Sequence, residues 1–262
     1  MRQDMAVNLK PFQTFSFSNF NKEVTNMYEY ERQREILSYL RQKRFATIKE
    51  LTGIVFASES SVRRDIKGLE QKGQLKQIYG GVVLPEYENS VVPIELRDPS
   101  NSAVKEELAK RAAEYIYDGA TVIMDGSSTV RRIIKYIGKF HNLKIITNNQ
   151  RIFNECDHPD AKLYCIGGLF LSQSKIFVGS AAERYINGIN ADILFFSAQA
   201  ISDAGEISDA SEEETALRKA MLSRAKRKIF LCDSSKLGLK RTFTVCTKDD
   251  VDVIVCDTQL PW

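Results

Sequence analysis

Histidine, tryptophan and closely paired cysteine are what this sequence has least of. Its 262 residues include two histidines (His141 and His158), one tryptophan and five cysteines, no two of which form a C-x-x-C pair. Without close-spaced thiols and with so few imidazoles, a structural zinc site and a histidine-based catalytic constellation are both set aside. The odd, scattered cysteines (Cys156, Cys165, Cys232, Cys246, Cys256), three of them in apolar strand-like runs, argue for reduced core thiols and a cytoplasmic location. No stretch approaches the roughly 18 apolar residues a membrane span needs, so no membrane partner is expected. The absence of any nucleotide or metal motif leaves no cofactor to expect.

What is present is an ordinary globular balance, 43% hydrophobic and 27% charged, over a length that suits two domains. The net charge of +3 is too small to indicate a nucleic-acid partner, so its distribution matters more. Between Arg41 and Lys76 nine basic residues face four acidic ones, an excess of five in one short segment. Residues 1–26 lack steady periodicity and the features of a targeting peptide, and are expected to be a poorly ordered extension ahead of a start near Met27.

From there "YERQREILSYLRQKR" puts Ile36, Leu37 and Leu40 on one helical face. Thr47 and Ser58 are N-cap candidates for two further helices. The last of these, to Lys72, turns Val62, Ile66 and Leu69 inward and Ser60, Ser61, Arg63, Arg64 and Lys67 outward, and stops at Gly73. "QLKQIYGGVVL" then reads as two short strands turning at Gly80-Gly81. Three helices and a hairpin make a winged helix-turn-helix over residues 27–84. Residues 85–104 hold three of the six prolines and several turn residues, and are expected to be a linker.

Hydroxyls at a helix start with paired arginines a turn later suit the major groove of double-stranded DNA. Expected contacts are Ser58, Ser60, Ser61, Arg63, Arg64 and Lys67, with Lys76, Tyr79, Gly80 and Gly81 from the wing. Arg63 and Arg64 can read guanine or hold phosphate, and the sequence does not separate the two. Taken alone, the two arginines would be a solvated face pairing with Glu59 or Asp65; the helices ahead, the hairpin behind and the local basic excess favour DNA.

After Lys105 helices alternate with six apolar strand-like runs, beginning at Thr121, Leu143, Lys162, Ala191, Lys228 and Asp252. This pattern implies an α/β domain, 105–262, built on a doubly wound, mostly parallel sheet. Ligands in such sheets sit beyond the carboxyl ends of the strands. Asp125 there runs into Gly126-Ser127-Ser128-Thr129, a candidate anion loop at a helix start. Thr147-Asn148, Gly167-Gly168 and the segment ending in Lys236 are further strand-end clusters. Individually each reads as a turn, a cap or a solvated lysine; four on one rim are expected to make a pocket.

The segment "RQREILSYLRQKRFATIKELTGIVFASESSVRRDIKGLEQKGQLKQIYGGVV" resembles the N-terminal signature of the DeoR/GlpR family of bacterial repressors. Tyr79, where that family usually has histidine, and Gly68 inside the third helix depart from it. From about Arg97 to Asp257 the likeness extends to the family's C-terminal domain, which is similar in fold to ribose-5-phosphate isomerase and glucosamine-6-phosphate deaminase. The resemblance implies an effector that is a phosphorylated sugar or polyol, with Lys105 opening the domain and Asp125 to Thr129 as phosphate loop. It implies sugar-facing loops at Thr147-Asn148 and Gly167-Gly168, a backbone turn at Gly179, Asp209 and Glu212 near the sugar hydroxyls, and Lys236 as a charged partner. A homo-oligomeric (dimeric or tetrameric) repressor of carbohydrate use, without enzymatic activity, is the expected function. The rival is a phosphosugar isomerase or deaminase with a fused DNA-binding module, using Asp125, Glu212, Glu213 and Lys236. A third reading gives the front domain to protein contacts, with binding insensitive to salt.

Overall fold

The computed structural model describes residues 28–78, 81–87 and 94–260. The stretch expected to be an extension, and Met27, lie outside them, as do Tyr79 and Gly80. The first helix, α1 (Glu29–Lys43), ends where Arg44 takes a left-handed backbone, φ 64°. A two-residue strand not foreseen in the sequence, β1 (Phe45–Ala46), leads to α2 (Ile48–Ile54). Thr47 caps α2 reciprocally, its hydroxyl accepting from Glu50 N at 3.1 Å while Glu50 Oε2 accepts from Thr47 N at 2.7 Å. Ser58 caps α3 (Glu59–Gln71) by accepting from Ser61 N at 3.2 Å.

The hairpin of β2 (Lys76–Ile78) and β3 (Gly81–Val83) completes a three-stranded sheet in the order β1-β3-β2. Gly81, expected at the turn, instead pairs with Ile78 inside the sheet. Gly81 is glycine for a packing reason: a Cβ there would lie 2.2 Å from Ala46 O and 2.5 Å from the Phe45 ring. Ile36, Leu40, Leu51, Val62, Ile66 and Leu69 fill the small core between helices and sheet.

The expected linker is not structureless in its second half. Helix α4 (Ile94–Arg97) docks by Ile94, which is 1% exposed and donates its N–H to Gln173 O at 2.8 Å. Beyond it come α5 (Ser102–Ala113), β4 (Thr121–Met124), α6 (Ser128–Arg131), β5 (Lys144–Thr147), α7 (Gln150–Glu155) and β6 (Lys162–Cys165). A hairpin of β7 (Leu169–Leu171) and β8 (Ile176–Val178) precedes α8 (Ser180–Asn187) and β9 (Ala191–Phe196). Then follow β10 (Ala200–Ile201), β11 (Glu206–Asp209), α9 (Glu212–Arg224), β12 (Ala225–Cys232), β13 (Phe243–Thr247) and β14 (Val253–Cys256).

The six apolar runs of the sequence form one parallel sheet, β14-β12-β9-β4-β5-β6. Successive residues of each strand enter opposite cores, as the pleat requires. Ile193, Phe195, Ile229 and Leu231 pack on one face, and Leu194, Phe196 and Phe230 on the other. Counted along the sheet, the strand order runs 6-5-4-1-2-3, so the chain reverses direction across the sheet between β4 and β9. A doubly wound sheet opens a crevice at that point, beyond the carboxyl ends of the two strands. A small antiparallel sheet, β10-β11-β13, flanks this crevice and was not foreseen.

Candidate functional site

On α3, the inward positions Val62, Ile66 and Leu69 are joined by Asp65, also buried, which receives a two-point ion pair from Arg32 of α1 at 2.7 and 3.1 Å. Ser60, Arg63, Arg64 and Lys67 are exposed and Ser61 half-buried. Among the described residues Arg63 pairs only with Glu59, one turn back at 2.6 Å, with both side chains largely in solvent. Such a pair is worth at most about 0.5 kcal/mol and yields readily to a phosphate. Lys76 is exposed on β2, whereas Gly81 is buried in β3.

A cleft of about 650 Å³, its mouth included, opens at the crevice between β4 and β9. Ser127, Ser128 and Thr129 enter it after β4, Ser197, Ala198 and Gln199 after β9, and Ser235 and Lys236 after β12. Lys105, Arg97, Asp209, Arg218 and Arg241 add charge, and Ile78 and Leu239 add apolar surface. Ser127 caps α6, accepting from Val130 N at 3.1 Å, and its own N–H is taken by Asp125 at 3.0 Å. The neighbouring hydroxyls of Ser128 and Thr129 have no hydrogen-bond partner among the described residues. Lys236 Nζ donates to Ser197 Oγ at 2.8 Å, and Lys105 Nζ donates to Arg97 O. Lys105 is 1% exposed, and burial, reinforced by the charge of Lys236, pulls its pKa down to about 7.

Beneath the cleft one guanidinium organises three carboxylates. Arg218 reaches Asp125 at 2.9 Å, Asp209 at 3.0 Å and Glu214 at 2.9 Å, all four groups buried. Burial opposes the charge on Arg218, but Asp209, Asp125 and Glu214 together hold its pKa above the ordinary value. Burial pushes the Asp209 carboxyl upward against the pull of Arg218. Glu214 moves the other way: burial is outweighed there by Arg218, Arg97 and the hydroxyl of Ser174. Asp125 additionally accepts from Ser197 N at 3.2 Å, so it ties the ends of β4 and β9 to α9.

Comparison with known proteins follows the same division. A family profile described as the DeoR C terminal sensor domain matches residues 100–258, and one described as a DeoR-like helix-turn-helix domain matches residues 32–88. The chain belongs to the DeoR family. It is therefore a transcriptional regulator with a helix-turn-helix domain and a sensor domain. Among its relatives are the HTH-type transcriptional regulator GolR of Listeria innocua, 30% identical over 89% of this chain and 92% of that one. Another is the transcriptional repressor AccR of Agrobacterium fabrum, 30% identical over 87% and 89%. A ribose 5-phosphate isomerase from Plasmodium falciparum overlaps 52% of the chain and 53% of its own at 17% identity and a TM-score of 0.39, a likeness too slight to bear on function.

In this DeoR-family chain the strand-end clusters expected on one rim divide between β4 and β5. Lys105, Ser127, Ser128, Thr129, Asp209 and Lys236 share the cleft. Asp125, Gly126 and Asn148 line a separate small void with Arg218, and Thr147 uses its hydroxyl to accept from Asn149 N at 3.1 Å. Gly167 and Gly168 end β6, two strands from the cleft; Gly168, at φ 140°, is pressed against Val178 O. Gly179 also has positive φ, 89°, ahead of α8. Glu212 and Glu213 border another depression beside Phe170 and Phe243. Arg97, Gln199, Arg218 and Arg241 went unnoticed in the sequence, because nothing local separates them from solvated residues.

Proposed function

We propose that this regulator represses a carbohydrate-utilisation operon and is controlled by a phosphorylated sugar or polyol held in the cleft at the ends of β4, β9 and β12. The observation that carries the reading is the cleft's composition: Arg97, Lys105, Lys236 and Arg241 surround hydroxyls, and Asp209, the one carboxylate on its wall among the described residues, is engaged by Arg218. Such a wall suits a phosphate dianion attached to a hydroxyl-rich body. Lys105, Ser127, Ser128, Thr129 and Lys236 are the proposed effector contacts, joined by Arg97 and Arg241. Asp125 and Asp209 act by holding the cleft's walls through Arg218.

Residues 27–84 are assigned to double-stranded operator DNA, through Ser58, Ser60, Ser61, Arg63, Arg64, Lys67 and Lys76, and residues 105–262, with the 94–104 stretch packed on them, to the effector. Two copies, as a dimer or within a tetramer, would hold two half-sites, and DNA and effector affinities are then reciprocally coupled. No helix among the described residues is long and apolar enough to cross a membrane, in keeping with a regulator that meets DNA in the cytoplasm. A catalytic role is disfavoured because the buried carboxylates near the cleft are held in ion pairs, Asp125, Asp209 and Glu214 by Arg218 and Asp233 by Lys236.

The test is thermal unfolding of the full chain with a panel of sugar phosphates and their unphosphorylated parents. A ligand at 100 times its Kd adds about 2.7 kcal/mol of stability. Stabilisation by phosphorylated members alone, lost in Ser128→Ala and Lys236→Ala, is expected. Stabilisation by none, or equally by the unphosphorylated parents, overturns the reading.

A further inference from the structure

We propose that Arg97 and Gln199 select for effectors whose groups beyond the phosphate accept hydrogen bonds, so that the cleft rejects phosphorylated sugars carrying a free ammonium. The proposal rests on the sugar-phosphate reading of the cleft and concerns the part of the ligand that reading leaves open. Among the described residues, Arg97 Nε and Gln199 Nε2 are buried donors without a hydrogen-bond partner, and both residues line the cleft. Buried donors are nearly always satisfied, so two unmet ones on the wall of a single cleft point to acceptors brought by a ligand.

Their placement holds these donors in position. Arg97 closes α4, its Nη2 engaged with Ser174 Oγ at 3.2 Å and its carbonyl with Lys105 Nζ, so the guanidinium is tethered while Nε remains unmet. Gln199 follows β9, the strand bordering the sheet's reversal, two residues after the Ser197 that receives Lys236. Arginine cannot become an acceptor at any accessible pH. A hydroxyl, carbonyl or carboxylate oxygen satisfies both groups. An ammonium satisfies neither, and it would also stand against Lys236 and Arg241. A site that leaves its own buried polar groups unpaired rejects a ligand far more strongly than one that differs only in size.

The experiment is calorimetric titration of the full chain with matched pairs: glucose 6-phosphate against glucosamine 6-phosphate, and galactose 6-phosphate against galactosamine 6-phosphate. Inorganic phosphate and 6-phosphogluconate complete the set. In every pair that binds, the hydroxyl member is expected to bind at least tenfold more tightly than the amino member, and 6-phosphogluconate no more weakly than glucose 6-phosphate. Gln199→Leu should shrink that ratio several-fold while leaving the affinity for inorganic phosphate unchanged, and Arg97→Lys should shrink it several-fold as well. Arg97→Lys keeps the positive charge while removing Nε. Equal binding of amino and hydroxyl members, or a ratio unmoved in both variants, overturns the proposal while leaving the sugar-phosphate reading standing. Binding of inorganic phosphate without any sugar phosphate overturns both.

Discussion

The chain carries two closely similar short phrases. Ser60-Ser61-Val62-Arg63-Arg64 opens α3 behind the cap Ser58, and Ser128-Thr129-Val130-Arg131-Arg132 opens α6 behind the cap Ser127. In both, the valine is fully buried; the arginines part company. Arg63 and Arg64 lie in solvent, whereas Arg131 and Arg132 are 7% and 6% exposed. The second pair is drawn inward by Asp98, which receives Arg131 at 2.7 Å, Arg132 at 3.3 Å and Arg151 at 2.8 Å, with Glu155 and Glu106 completing the network. Near α3 the buried carboxylate, Asp65, is already held by Arg32. Paired arginines behind a buried valine thus become a fastening in one domain and an open cationic face in the other, and the distant carboxylate decides which.

The sharpest way to break this comparison is to remove each pair. Arg131→Ala leaves a carboxylate network without one of its buried cations, and is expected to cost about 3 kcal/mol of unfolding free energy. Arg63→Ala with Arg64→Ala should cost no more than about 0.5 kcal/mol. Chemical denaturation of the two variants measures both, and similar losses would show that the exposed pair is structural after all.

Binding reverses the ranking. Arg63→Ala and Arg64→Ala should each weaken duplex DNA binding, and each arginine that sits on a phosphate should lower the slope of log affinity against log salt by about 1. An arginine that reads a base should instead cost about 1–3 kcal/mol of sequence discrimination. Arg131→Ala should leave the salt slope unchanged. Affinity untouched in both α3 variants across a salt series would remove α3 from the DNA interface.

What was legible in the sequence follows the same line between local and distant causes. Caps such as Thr47 and Ser58, and the six apolar runs of the parallel sheet, depend on residues adjacent in the chain, so their positions were readable. The sheet order was not, because it depends on which run pairs with which. Thr147 and Gly168 do stand at strand ends, yet β5 and β6 lie beyond β4, outward from the cleft at the reversal. Arg97, Arg218 and Arg241 come from a connector, a helix and a loop, and each looks like an ordinary surface charge until the fold brings it beside Lys105 and Lys236. Gly81 misled for a related reason: paired glycines signal a turn, but the second is set by Phe45 and Ala46, more than thirty residues earlier.

Burial also changes what a cation does with pH. Lys105, depressed to about 7, holds its proton less firmly in the folded chain than in the unfolded one. The unfolded state therefore binds more protons between about pH 7 and the ordinary lysine range, and stability should rise with pH across that window. Lys105→Met should flatten the rise. A bound phosphate would favour the charged lysine, so effector binding at pH 8 should take up a proton. Effector affinity should then fall above about pH 7 by at most tenfold per pH unit, about 1.4 kcal/mol. Calorimetry in buffers of different ionisation enthalpy reads the uptake, and its absence would place the anion away from Lys105.

The smallest expected effect returns to the two helix starts and the glycines near them. A Cβ at Gly126, just ahead of the second phrase, would lie 2.5 Å from Ile176 Cγ2, so that backbone is fixed by a close approach. At Gly68 of α3 the nearest atom to an added Cβ is Gln33 Nε2 at 3.6 Å, an ordinary contact, and the backbone is helical. Gly68→Ala should accordingly stabilise the helix-turn-helix domain by about 0.5–1 kcal/mol, the usual gain for alanine over glycine in a helix interior. Because position 68 lies toward α1 while Arg64 and Lys67 face outward, DNA affinity and its salt slope should stay as they are. A variant that gained stability but lost DNA binding would mean that α3 meets its groove on the side of Gly68, and the exposed arginines would then serve phosphates alone.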